Sequence, residues 1–263
     1  MRKAQFLMLL TTLTAALPMG AFAQDDAMNA EAGSLPARHA DRPLTLPQNT
    51  LRAEVGLGVA HAELLGASVN VDRLALGASY GITDDIEVGA VIAPLTLGVL
   101  DSEFDYQDPS VRARYRVIDG PVEIAAEAET QLPLSEDADP NLTVRLPVRI
   151  QANDLRIDTG LETRVTFGEQ DTFVQAAVPV AASLNLTDEI HAGLSTGLAI
   201  GDMANAGDSL SMPLGVHAGY TIDSGALVTD LGVGFALPAF VTGSEIVTNQ
   251  WRAMLNANIH FNL

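Results

Sequence analysis

The stretch Val111-Arg112-Ala113-Arg114-Tyr115-Arg116-Val117, with Val122-Glu123-Ile124-Ala125-Ala126-Glu127-Ala128-Glu129 shortly after it, decides the fold. Arginines alternate with apolar residues in the first segment, and glutamates do nearly the same in the second. A period of two puts the charges on one face of a strand and the apolar residues on the other. In a soluble sandwich the apolar face packs inward. Here the pattern recurs about twelve times behind an export-type leader, which favours the inverse arrangement. The apolar face then meets lipid and the charges point into a closed barrel.

Arg2 and Lys3 precede an apolar run from Phe6 to Met19, and Ala21-Phe22-Ala23 offers a small-x-small cleavage site before Gln24. This is the layout of a secretory signal peptide, so residues 1–23 are expected to be removed. No other stretch reaches the ~18 continuous apolar residues that a membrane helix needs. The chain has no Cys, which excludes disulfides, thiolate metal sites and a lipidated N-terminal cysteine together. Lys3 is the only lysine, so every basic group beyond the leader is an arginine. The net charge of −19 makes nucleic acid an improbable partner. Residues 24–50 are polar, carry Pro36, Pro43 and Pro47, and show no period. They read as a flexible periplasmic lead-in, 27 residues being little material for a plug.

Residues 51–263 divide into alternating segments at 51–61, 68–82, 86–100, 110–118, 122–134, 141–152, 155–167, 172–186, 190–201, 209–222, 226–240 and 250–263. Tight turn residues such as Thr83-Asp84-Asp85, Asn153-Asp154 and Asp223-Ser224-Gly225 alternate with longer links at 101–109, 135–140, 202–208 and 241–249. Short periplasmic turns opposite longer external loops, with an even strand count, are the layout of outer-membrane barrels. The expected fold is all-β, a twelve-stranded antiparallel transmembrane barrel in the cell outer membrane.

Charge phase sharpens this expectation. With the apolar set of each segment facing lipid, all ten arginines in the segments fall in the opposite phase, and Asp72 is the one charged residue that violates it. The candidate lumen-lining residues are Arg112, Arg114, Arg116, Glu123, Glu127, Glu129, Arg145, Arg149, Arg156, Asp158, Glu162 and Arg164. Adjacent strands carry opposite signs, as cross-strand pairing favours. Such a wall either forms a polar channel with a transverse field or neutralises itself and closes the lumen. Between 172 and 240 the inward positions are small, Gly193, Gly215, Gly219 and Gly232 among them. They leave open volume, make room for the charged wall to lean across, or only relieve curvature.

The run Leu74-Ala75-Leu76-Gly77-Ala78-Ser79-Tyr80-Gly81-Ile82-Thr83-Asp84-Asp85-Ile86-Glu87-Val88-Gly89 resembles a hairpin of twelve-stranded Gram-negative outer-membrane barrels, including the phenol-degradation (meta-pathway) outer-membrane proteins. The general resemblance covers residues 51–263. The end, Asn258-Ile259-His260-Phe261-Asn262-Leu263, is similar to the terminal strand that barrel-assembly machinery reads, with Leu in place of the usual final Phe. The resemblance implies lipid, lipopolysaccharide and that machinery as partners.

No cofactor, metal or catalytic residue is expected. His191, His217 and His260 read as polar interior residues, since there is no HExxH and no tight His/carboxylate cluster. His61 faces Ser68 and Asn70 near the external rim, which keeps a membrane-embedded lipid hydrolase in contention. The acids of the external links, Asp101, Glu103, Asp105, Asp108, Glu136, Asp137, Asp139, Glu169, Asp171, Asp202 and Asp208, read as a solvated surface without calcium-loop spacing. The expected function is that of a passive channel or facilitator for small solutes. A closed structural or adhesion barrel and a soluble periplasmic β-domain compete with it. An autotransporter translocator is set aside because residues 24–50 are too short for a passenger.

Overall fold

The computed structural model describes residues 35–64, 67–92, 95–97, 105–106, 108–134, 139–168, 171–225, 227–243 and 245–263. The signal peptide, residues 24–34 and the acids at 101, 103, 136, 137 and 169 lie outside the described residues.

The strands are β1 (Thr50–Leu64), β2 (Ala67–Thr83), β3 (Ile86–Val91), β4 (Leu95–Leu97), β5 (Asp105–Tyr106), β6 (Ser110–Ile118), β7 (Val122–Gln131), β8 (Asn141–Ala152), β9 (Leu155–Phe167), β10 (Thr172–Asn185), β11 (Ile190–Ile200), β12 (Leu210–Asp223), β13 (Leu227–Thr242), β14 (Glu245–Ile246) and β15 (Gln250–Asn262). All pairings are antiparallel. The sheet closes where β1 pairs β15, from Thr50↔Asn262 to Ala62↔Gln250. Setting aside the short β4, β5 and β14, twelve strands form a closed barrel. The segment expected at 86–100 is divided into β3 and β4, and the sequence between them carries Pro94, which has no N–H for a ladder.

Tight turns at one end are stitched by side chains. Thr83 Oγ1 accepts from the N–H groups of Asp85 and Ile86, and Thr187 Oγ1 does the same for Glu189 and Ile190. Asn153 takes φ 54° in its two-residue turn, a conformation that asparagine tolerates well. This short-turn end also carries both ends of the barrel chain, Thr50 and Asn262, and is the periplasmic end in bacterial barrels.

Facing is unambiguous. Leu146, Leu161, Leu231 and Leu255 are 46%, 48%, 45% and 56% exposed, whereas Arg149 and Glu123 are 0% and 1% exposed. A closed β-surface with an exposed apolar exterior and a buried polar interior is stable in lipid, where every strand edge is paired and no backbone group is left bare. The largest buried aliphatic side chains, Leu44 and Leu46, come from the segment ahead of β1 rather than from the wall.

Four prolines sit inside strands, Pro147 on β8, Pro179 on β10, Pro213 on β12 and Pro238 on β13, and each of the first three faces a compensating group. Gly160 pairs with Pro147 and Gly197 with Pro179, at φ +153° and +150°. A Cβ on either glycine would lie 2.4 Å from a carbonyl oxygen of the facing strand. The hydroxyls of Thr159 and Thr196 donate to the carbonyls of Pro179 and Pro213, each at 2.9 Å. The ladder interruptions forced by proline are thus met by a close glycine and a threonine hydroxyl.

Candidate functional site: a charged interior and its N-terminal segment

Register brings unlike charges face to face. Arg114 is paired with Glu127, Arg145 lies between Glu127 and Glu162, and Arg149 between Glu123 and Asp158. The side chains close these pairs. Arg114 reaches Glu127 at 2.5 Å, and Arg145 reaches Glu127, Glu129 and Glu162 at 2.5, 2.6 and 2.9 Å. Arg149 and Arg156 share Asp158 at 2.7 and 2.6 Å, while Arg116 meets Glu123 at 3.0 Å. Arg112 stands opposite Glu129 in the register, yet its guanidinium turns to Glu54 at 2.7 Å and to Ser79. Arg52 joins Glu54 to Glu87. Arg164 differs from the rest: its Nε donates to Thr143 Oγ1 at 3.1 Å, and no carboxylate lies within ion-pair distance among the described residues.

The described part of the N-terminal stretch departs from the expected flexible lead-in. Leu35, Ala40, Arg42, Leu44, Thr45 and Leu46 are buried inside the short-turn end. The segment makes a 3-10 turn over His39–Asp41 and one isolated bridge at Arg42, and its three prolines donate no N–H, so side chains of the wall satisfy much of its backbone. Glu123 accepts from the Leu44 N–H at 2.7 Å and Glu87 from the Leu46 N–H at 3.1 Å. Arg149 donates to the Arg42 and Pro43 carbonyls, Arg114 to that of Leu44 and Arg156 to that of His39. Arg42 is the anchor. It is fully buried, bridges to both oxygens of Asp230, and donates to Thr221 and to the carbonyls of Pro36 and Ala37. Asp230 also holds Thr221 at 2.7 Å and His260 at 2.9 Å. At the rim Arg38 pairs with Asp154, Asp41 and Asp188.

Sequence alone does not single out Arg42, Asp230, Thr221 and His260 as a cluster. The available signal is an apolar alternation, Leu44-Thr45-Leu46, next to an arginine in a stretch otherwise typical of a linker.

The small inward positions are used as seats. A Cβ on Gly219 would fall 2.2 Å from the His191 ring, one on Gly193 2.5 Å from the His217 ring, and one on Gly232 2.4 Å from Asn256. Here the glycines make room for cross-strand neighbours. His39 of the N-terminal segment stacks on His191 at 3.8 Å between ring centroids, and His217 Nε2 lies 2.9 Å from Ser183 Oγ. Among the described residues no group of three or more His, Asp or Glu is arranged to hold a metal ion. His61 pairs with Asn70 in the register and stacks on Trp251 at 5.4 Å, while Ser68 pairs with Glu63.

The class of protein follows from this geometry: a closed antiparallel barrel of twelve strands, apolar outside and polar within, residing in an outer membrane. Solved structures of that class share the fold. An outer-membrane channel from Pseudomonas putida F1 aligns at TM-score 0.55 and 14% identity, over 82% of this chain and 97% of its own. The NanC porin aligns at TM-score 0.53 and 11% identity, over 80% and 100%. The translocator domain of the autotransporter NalP from Neisseria meningitidis aligns at TM-score 0.50 and 9% identity, over 81% and 88%. No protein-family model matches the chain, and no curated protein is similar to it.

Proposed function

We propose that the protein is a passive channel for small solutes. Its path runs along the Arg/Glu wall and is stopped at the periplasmic end by its own N-terminal segment. The observation that carries this reading is the way that segment is held. Apart from an isolated bridge at Arg42, it is held mainly by side-chain hydrogen bonds and ion pairs to the short-turn half of the wall. Contacts of this kind exchange with water at a net cost of about 0.5–3 kcal/mol each, so the segment can leave without unfolding the barrel. The likeness in fold to porins and channels supports the same reading.

A second reading, a closed structural barrel, is favoured by the burial of Arg42 and Leu44 in the lumen. Planar-bilayer recordings of the full chain and of a chain lacking residues 36–48 separate the two. The channel reading expects rare openings of the full chain and steady conductance from the deletion. In the deletion background, changing Arg112 and Arg145 to Glu should shift selectivity towards cations, an effect that fades as salt screens it. Silence from both chains sinks the channel and leaves the structural barrel.

A further inference from the structure

The wall residues that hold the N-terminal segment divide their hydrogen bonds in one repeated way. Arg114, Arg149 and Arg156 each donate from Nε to a carboxylate of the wall, Glu127 or Asp158, at 2.6–2.7 Å. Nη1 of each is then turned to a backbone carbonyl of the segment. Arg114 donates to Leu44 at 2.5 Å, Arg149 to Arg42 and Pro43 at 2.7 Å, and Arg156 to His39 at 3.1 Å. Two carboxylates split the same way. Oε1 of Glu123 and of Glu87 accepts from a wall arginine, Arg116 or Arg52, at 3.0 and 3.1 Å. Their Oε2 atoms accept from the N–H groups of Leu44 and Leu46 at 2.7 and 3.1 Å. Ion pairs within the wall thus orient five groups, and the remaining donor or acceptor of each meets a peptide backbone.

Backbone N–H and C=O groups recur in every sequence, so contacts of this kind accept many peptides. Extended peptides are commonly held by adding them to an open strand edge. Here β1 is paired on both sides, to β2 and to β15, and a chain in the lumen meets side chains instead of an edge. The largest buried side chains of the segment add a pattern to this tolerance. Arg42 donates to Asp230 and Thr221, and Leu44 and Leu46, each 1% exposed, follow at two and four residues beyond it. Donors and acceptors fixed in advance by the wall lower the ordering cost of any chain that presents the same three anchors. We infer that the short-turn end of the lumen is a binding site for short extended peptides with an arginine followed at two and four positions by aliphatic residues, and that the N-terminal segment occupies it as an internal stand-in. The site deepens the channel reading by giving its solute a class, and it rests on that reading only for passage.

Fluorescence anisotropy of the full chain in zwitterionic detergent tests the site, with a fluorescein-labelled peptide of residues 36–48 as probe. The tethered segment competes at an effective concentration on the order of millimolar, so the parent protein should bind the probe weakly. Arg42→Ala in the protein disarms the tethered copy and leaves the wall intact. That variant should bind the probe roughly tenfold or more tightly than the parent, by the weight of the charge-assisted hydrogen bonds its own segment has lost. An unlabelled Gly/Ser peptide carrying Arg-x-Leu-x-Leu should displace the probe, and its glutamine-for-arginine version should do so roughly tenfold or more weakly. Adding Asp230→Asn to Arg42→Ala should erase the difference between those two peptides. The heat-dependent gel shift checks that each variant is folded. No saturable binding to the Arg42→Ala chain overturns the site, as does equal displacement by the arginine and glutamine peptides. Displacement by the 36–48 sequence alone would mean a receptacle for the chain's own segment, and also overturns it. Bilayer currents separate the site from the channel. Conductance of the chain lacking residues 36–48 without peptide binding leaves the channel and removes the site, whereas binding by chains that are silent in bilayers keeps the site and removes the channel.

Discussion

Arg149 and Leu146 are three residues apart on one strand and live in opposite solvents. The first is fully buried against Asp158 and two backbone carbonyls, and the second is 46% exposed on the outer surface. Substitutions should report that difference directly. Leu146→Arg or Leu161→Arg is expected to cost about 2–4 kcal/mol near the bilayer midplane. Thr166→Arg, on the inner face of β9, should cost much less. Reversible unfolding in lipid vesicles gives both values, and equal penalties on the two faces would mean the inside-out assignment is wrong. The individual buried pairs are a different matter. Removing one partner of such a pair costs about 3–5 kcal/mol because the other charge stays buried. Arg149→Met should therefore destabilise more than Arg112→Met, because it also removes the donor to the Arg42 and Pro43 carbonyls. Urea midpoints in the same vesicles rank the two.

At the scale of elements, the N-terminal segment and β2 meet where Gly81 lies under the Pro47 and Leu46 carbonyls. A Cβ there would sit 2.1 and 2.7 Å from those oxygens. Gly81→Val touches no charged residue of the wall, yet it should unseat the segment. Proteinase K reads this out, because Ala40, Leu44 and Thr45 are buried when the segment is docked. Rapid cleavage within residues 39–48 in the variant, with the barrel still compact on an unheated gel, is the expected result; a resistant segment would show that it tolerates the collision. The strands themselves are legible in the sequence because a two-residue period with charges confined to one phase has few other solutions. Their boundaries mostly fall within a few residues of the expected ones. The docked segment is not legible, since its partners Glu87, Glu123, Arg149 and Asp230 are brought to it only by closure of the sheet.

Taken as a whole molecule, the chain has a net charge of −19, yet much of its arginine is folded into the interior. The surface left to water at the rims is accordingly acidic, which favours dispersion during export. The intact protein should fractionate with outer membranes and migrate as a heat-modifiable band, and recovery as a detergent-free soluble monomer would refute the barrel. The closed sheet also bears on the order in which the molecule is built. Its seam joins the first strand to the last, and Arg42 grips Asp230 across 188 positions of chain. Contacts that remote in sequence form late, after loop closure has already been met by other pairings. The prolines bar the segment from competing with β15 for the free edge of β1 while that seam is open. Refolding into vesicles should therefore show two clocks. The compact band should appear first, and protection of the segment around Leu44 from proteinase K should follow with a lag that lengthens in Gly81→Val. Simultaneous appearance in the parent protein would mean that the strands instead assemble around an already seated segment, as staves around a core.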